Sequence, residues 1–198
     1  MTRGYTVVEL MMALAVLAVS VTGVMAMQKV TAVSNANARD VAVANRVAQT
    51  WVEQLRADAR LWNHPSPNNT VSDIGDTAWL KEVDNDEFTR PTWNDARQIG
   101  AAFDGLGRPY NQEGADAPAP VFCAEFFLTQ LTPAEDTRGE IRATVRVYWL
   151  RQSTPRDPVN DFCRETAGRT PNDVGNQANL ADYHFVYHTT VVRQWTAQ

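Results

Sequence analysis

A chain of 198 residues with 44% hydrophobic content has room for one modest domain besides an anchor, and no second catalytic domain fits comfortably. Its formal net charge is −5, unevenly divided: residues 1–62 hold six basic and four acidic groups, leaving 12 basic and 19 acidic residues, net −7, in residues 63–198. That balance disfavours non-specific nucleic-acid binding, which depends on neutralising phosphates with lysine and arginine, and it favours solubility of the later part.

Near its start the chain carries Arg3-Gly4-Tyr5-Thr6-Val7-Val8-Glu9-Leu10, and an apolar run follows from Met11 to Met27. Glu9 is the only charged residue between Tyr5 and Met27. At ~1.5 Å per residue such a helix covers the ~30 Å of a bilayer core, so residues 5–27 read as a single membrane-spanning helix. A carboxylate in that setting costs on the order of 2.5–3.5 kcal/mol, which makes Glu9 a functional candidate in need of a partner.

Gly4-Tyr5-Thr6-Val7-Val8-Glu9-Leu10 resembles the processing signal of type IV pilins and type II secretion pseudopilins: glycine, an aromatic residue, threonine, two aliphatics, glutamate, then an apolar helix. The resemblance implies a leader of residues 1–4, cleavage between Gly4 and Tyr5 by a prepilin peptidase and N-methylation of Tyr5. It also implies an inner-membrane assembly platform as partner, and contact with other pilin subunits through the helix, where Glu9 meets a neighbour's amino terminus. The physical logic agrees, because two desolvated charges are each costly alone while a neutralised pair offsets much of the penalty. Tyr5 stands where phenylalanine is usual, and no proline interrupts the helix before Pro65, which leans towards a minor pilin or a pseudopilin. An ordinary secretory signal, with Arg3 as its basic region and Val24-Met25-Ala26 as its cleavage site, and a plain membrane anchor are the competing readings.

From Gln28 the pattern becomes one-sided. Val41, Ala44, Ala48, Trp51, Leu55, Ala59 and Trp62 recur at spacings of three and four, while Arg39, Arg46, Glu53 and Arg60 follow one another at intervals of seven on the opposite face. No glycine or proline lies in Gln28–Ala38, so residues 28–62 continue the membrane helix as its amphipathic half, and the whole is predicted to run from about Thr6 to Trp62, roughly 85 Å.

Residues 63–198 form the predicted head. Pro65 and Pro67 end the helix. Asp76–Val83 is predicted as a short helix with Asp76 as its N-cap, and Asp104-Gly105 as a tight turn. Val121–Gln130, Ile141–Arg151 and Tyr183–Trp195, rich in β-branched and aromatic residues, are predicted as consecutive antiparallel strands. In the middle strand Ile141, Ala143, Val145, Val147 and Trp149 share one face, expected to lie on the Trp51–Trp62 stripe, and Arg142, Thr144, Arg146 and Tyr148 share the other. The expected fold class is α+β and pilin-like, one long N-terminal helix on an antiparallel sheet.

Chemistry-bearing patterns in the head are few. Asp84, Asp86 and Glu87 lack the glycine and distant glutamate of a calcium loop, and His64 reads as a loop residue. His184 and His188, on a strand, stand about 13 Å apart, too far for one metal. No nucleophile elbow or phosphate-binding glycine loop occurs, so neither enzymatic activity, a metal nor a cofactor is expected. Cys123 and Cys163 are the only cysteines and can pair in one way in an oxidising compartment, for ~4 kcal/mol in the chain-entropy picture.

Three functions fit these residues. The first is a minor pilin that primes assembly, sits at the tip of a type IV pilus or modifies the fibre, and the second is a minor pseudopilin of a type II secretion system. Either would sit in the inner membrane before assembly, and afterwards in a surface pilus or a periplasmic pseudopilus. The third is an adhesin-like head delivered by a fibre, with Trp79 and Trp93, both outside the predicted strands and long helix, as candidate surface contacts.

Overall fold

The computed structural model describes residues 6–63, 74–83, 87–111, 120–132, 139–151, 163 and 181–194. The fold is α+β: one long N-terminal helix, α1 (Val7–Asp58), followed by a four-stranded antiparallel sheet of β1 (Ala102–Phe103), β2 (Phe122–Gln130), β3 (Glu140–Leu150) and β4 (Tyr183–Arg193), in the order β1-β2-β3-β4. By internal contacts the chain divides into Met1–Val41 and Ala42–Gln198.

In the first unit every residue from Thr6 to Asn35 is exposed, and the helix is long and apolar enough to cross a membrane. Three of its hydroxyls do not depend on water: Ser20 Oγ donates to the Val16 carbonyl at 2.9 Å, Thr22 Oγ1 to Val19 at 2.8 Å and Thr31 Oγ1 to Met27 at 2.9 Å, so these side chains are satisfied on their own helix, as an apolar solvent demands.

In the second unit the amphipathic part of α1 buries the stripe expected of it: Ala44, Ala48, Trp51 and Leu55 are fully enclosed, and Ala59 and Trp62 nearly so. Arg39, Arg46, Glu53 and Arg60 are exposed, as their seven-residue spacing requires. Val41 is not part of the buried stripe; it is exposed, and burial begins at Ala44. The α-helix stops at Asp58 rather than Trp62, and the chain tightens into a 3-10 turn over Leu61–Asn63 ahead of Pro65.

The sheet meets this stripe with one face. Ile141, Ala143, Val145, Val147 and Trp149 of β3 are all buried, and the Trp51 and Phe126 rings lie 5.8 Å apart. The β3–β4 register runs unbroken from Glu140↔Arg193 to Leu150↔Tyr183, and β2 pairs with β3 from Cys123↔Tyr148 to Gln130↔Ile141. On the opposite face of β3 Arg142 is exposed, but Arg146 and Tyr148 are buried: a segment that bridges the β2 edge at Thr89↔Phe126 places Phe88 over Arg146 and Arg90 against Tyr148, and Tyr148 also packs with Cys123 and Cys163.

Between helix and sheet the predicted helix over Asp76–Val83 is replaced by two 3-10 turns, Ile74–Asp76 and Leu80–Glu82, and Asp76 caps neither. The Asp104 turn is present. Asp104 Oδ1 accepts from the Leu106 and Arg108 amides at 2.8 Å each, and the left-handed residue is Gly107 (φ 74°), not Gly105. A glycine is needed there twice over, since a Cβ would also meet Val43 Cγ1 of α1 at 3.0 Å. Cys123 and Cys163 form a disulfide with Cα atoms 5.6 Å apart, closing a cluster with Ala101, Ala102, Tyr148 and Tyr183. His64, Asp84, Asp86 and Trp195 lie outside the described residues.

Candidate functional site

Gly4 and Tyr5, the expected processing junction, lie outside the described residues; Glu9 is described and lies in the first turn of α1. Its nearest polar neighbour is Thr6, three residues before it. Thr6 N donates to Glu9 Oε2 at 3.2 Å, Thr6 Oγ1 donates to the same oxygen at 3.3 Å, and Glu9 N donates to Thr6 Oγ1 at 3.3 Å. This is a reciprocal capping box, and its signature, Thr-x-x-Glu, stood in the sequence. It satisfies donors that would otherwise be orphaned at the helix start and places a carboxylate where the helix dipole favours one. Glu9 is exposed, so the box leaves it accessible to a second, intermolecular cation.

The head holds two buried acid centres that the sequence reading missed. The first is Asp58, the last residue of α1 and fully buried. An acid at a helix C-terminus opposes the macrodipole, so its place must be explained by partners. Its carboxylate accepts from the backbone N–H groups of Ala78 at 3.0 Å, Trp79 at 2.8 Å and Leu80 at 3.1 Å, and from Arg97 Nη2 at 2.9 Å. Asp58 thus does the capping assigned to Asp76, and it ties the end of the helix to the chain before the sheet. The Arg97 guanidinium then lies 4.6 Å from the Trp79 ring centre, and Trp79 meets Trp51 edge-on at 5.1 Å.

The second centre is Glu125 of β2, directly opposite Arg146 of β3. Glu125 Oε1 accepts from Arg90 Nη2 at 2.8 Å and the Tyr148 hydroxyl at 3.0 Å; Oε2 accepts from Arg146 Nε at 3.1 Å and from Arg146 Nη2. Phe88 covers the Arg146 guanidinium at 3.9 Å. Burial, helped by the Glu125 charge and opposed by Arg90 and Arg146, lifts the Tyr148 pKa well above the usual tyrosine value. At Arg90 burial opposes the charge, but Tyr148 and Glu125 together outweigh it and its pKa rises. With both carboxylate oxygens occupied by strong donors, Glu125 is suited to locking residues 87–91 onto the sheet, not to moving a proton.

Of the other sequence candidates, Trp79 is 4% exposed and belongs to the core, so it cannot be a surface contact. Its ring is needed to fill the space between Trp51 and Arg97. Trp93 is half-buried; its Nε1 donates to Asp95 Oδ1 at 2.8 Å and its ring edge and backbone approach Gly100. His184 stacks on Trp149 at 5.3 Å and His188 Nε2 lies 3.0 Å from Asn45 Oδ1, so the two histidines serve different contacts. Set against family models, curated proteins and solved structures, the chain matches none.

Proposed function

We propose that this protein is a membrane-anchored structural subunit of a fibre, a minor pilin of the type IV kind that inserts through α1 and is held in the assembly through Glu9. The observation that carries the reading is α1 itself. A single helix from Val7 to Asp58 is fully exposed and apolar over its first part, holds one acid in its first turn, and buries a second stripe against an antiparallel sheet. An exposed apolar surface of that length needs lipid or other helices around it. The likeness of Gly4–Leu10 to a prepilin signal supplies the identity of those helices, and the disulfide supports an exported head.

The capping box dictates the test. Glu9→Gln retains the hydrogen-bonding pattern at Thr6, since glutamine serves in such a box as well as glutamate, but it removes the charge. If Glu9 pairs with a neighbour's terminal ammonium, the variant inserts and is processed normally yet is lost from sheared fibres. Breaking a desolvated pair costs ~3–5 kcal/mol, a loss of two orders of magnitude or more in incorporation. The measurement is the ratio of processed protein in fibres to that in membranes. An unchanged ratio would reduce Glu9 to a helix cap and remove the ground for the assembly role.

A further inference from the structure

The face of the sheet turned away from α1 can be laid out row by row from the register. Odd residues of β4 stand beside even residues of β3: Phe185 beside Tyr148, Tyr187 beside Arg146, Thr189 beside Thr144, Val191 beside Arg142 and Arg193 beside Glu140. The first and last rows are occupied. Tyr148 and Phe185 pack in the cluster around the Cys123–Cys163 disulfide, and Arg193 Nε meets Glu140 Oε1 at 2.8 Å. On the β2 side Phe88 stands over Arg146 and 5.6 Å from Phe127. Between these limits Tyr187, Thr189, Val191 and Arg142 are exposed and Thr144 is half-buried, on a patch roughly 13 Å long and two strands, about 10 Å, wide.

Three kinds of group line up along that patch. Tyr187, 53% exposed, is the one exposed aromatic among the described residues, and Phe185 lies near-parallel to it (21°) at 6.2 Å. Thr144 Oγ1 and Thr189 Oγ1 are 3.3 Å apart; since each hydroxyl has one proton and two lone pairs, the pair keeps capacity for further hydrogen bonds. Arg142 meets no acid among the described residues, although Arg146 and Arg193 on the same face each have a glutamate.

We propose that this patch binds an acidic oligosaccharide, with a pyranose ring stacked on Tyr187, sugar hydroxyls on the Thr144–Thr189 pair and a uronate carboxylate on Arg142. The ring of Tyr187 offers an apolar face to the C–H side of the sugar, and the guanidinium offers two parallel N–H donors that fit a carboxylate. Size argues against a protein partner, because a patch of about 13 Å by 10 Å falls far short of the ~800 Å² per partner of a stable protein interface. Charge argues against a polyphosphate strand, since residues 63–198 are net −7 and this face offers one guanidinium without an acid. A flat surface does not enclose its ligand, so the affinity is weak, with Kd on the order of 1 mM. The patch lies wholly within Ala42–Gln198, so the inference stands apart from the role proposed for Glu9.

The experiment uses the full chain in a zwitterionic detergent that carries no sugar, with saturation-transfer difference NMR as the readout. The probes are the trisaccharide of galacturonic acid and maltotriose, its neutral counterpart. Saturation should reach the ring protons of the acidic probe, which binds about tenfold tighter than maltotriose. Arg142→Gln should abolish that preference, and so should Val191→Glu, which sets an acid directly beside Arg142 and serves as a second, independent variant. Tyr187→Thr, which keeps a β-branched residue in the strand, should weaken both probes by a similar factor. Arg108→Gln, which removes an exposed guanidinium on the Asp104 turn, should change neither. Near-UV circular dichroism confirms that each variant is folded. No saturation of the acidic probe at millimolar concentration, equal affinity for the two probes, an equal loss in Arg108→Gln, or tighter binding of a thymidine oligonucleotide would each overturn the proposal.

Discussion

Replacing Asp58 by alanine tests whether the head is organised around a buried acid. The carboxylate is fully buried and takes three backbone N–H groups and one guanidinium, all between 2.8 and 3.1 Å. Alanine leaves the amides of Trp79 and Leu80 enclosed without an acceptor and strands a guanidinium whose Nη1 has no partner among the described residues. Each bond to a charged acceptor is worth ~1.5–3 kcal/mol, and recovery of Asp58's own desolvation offsets part of the sum. Arg97 keeps 21% of its side chain accessible and can turn towards water, which places the net cost at the level of a broken buried pair, ~3–5 kcal/mol. For a domain of this size that lowers Tm by about 10–15 °C. Urea unfolding of the full chain in detergent, followed by tryptophan fluorescence, measures it, and loss of near-UV circular dichroism from the Trp51–Trp79 contact reports the local effect. Arg97→Met, which removes one of the four bonds, should cost about 2 kcal/mol or less and couple to Asp58→Ala by ~1–3 kcal/mol. A cost below about 1 kcal/mol for Asp58→Ala would refute the reasoning, because three unpaired amides and a stranded cation cannot be that cheap.

Tyr148 should make the fold sensitive to alkali. Its raised pKa means that the folded chain holds a proton the unfolded chain releases above about pH 10, so stability is full below that value and falls as pH rises; Tyr148→Phe should flatten the fall by up to ~1.36 kcal/mol per pH unit in pH-dependent urea titrations. A Cβ built on Gly139 collides with Cζ2 and Cη2 of Trp62, so Gly139→Ala should cost ~1–3 kcal/mol by thermal unfolding and be partly rescued by Trp62→Phe. Mass spectrometry of the native protein should find a chain starting at N-methylated Tyr5; a start at Met27 would instead indicate an ordinary secretory signal.

The architecture was legible because its signals are periodic. Six of the seven positions spaced by three and four, all but the exposed Val41, marked the stripe buried by α1 and the turn after it, and alternation in 141–149 marked the face that lies on it. What escaped was polar. Asp58 stands seven residues after Trp51 and four before Trp62, within the apolar register, yet an acid there reads as an interruption until its donors arrive from Ala78–Leu80, twenty residues away in sequence. Glu125 lies in the otherwise apolar stretch Phe122–Leu128, and Arg146 on the face of β3 turned away from α1. Their pairing depends on the β2–β3 register, and residues 87–91, which seal them in, carry no periodic signal. The Thr6–Glu9 box differs, because its four-residue signature was present and was passed over in favour of the charge alone.

That box changes how the acid in the apolar helix is to be understood. An isolated carboxylate at the centre of a membrane span costs on the order of 2.5–3.5 kcal/mol, and less near its start, where Glu9 stands, but the charge still calls for a partner. Bonds from Thr6 N and Oγ1 meet part of the demand within the chain, at the end of the helix whose dipole favours a negative charge. What remains unmet is the charge. Thr6 offers neutral donors only, and the next charged residue along the helix is Lys29, twenty positions and about 30 Å further on. Within the chain the cations nearest Glu9 in sequence are Arg3 and the amino terminus, and a counter-ion from another molecule would couple the charge to assembly. Retaining the cap while deleting the charge, as Glu9→Gln does, separates the hydrogen bonding at Thr6 from the proposed assembly role.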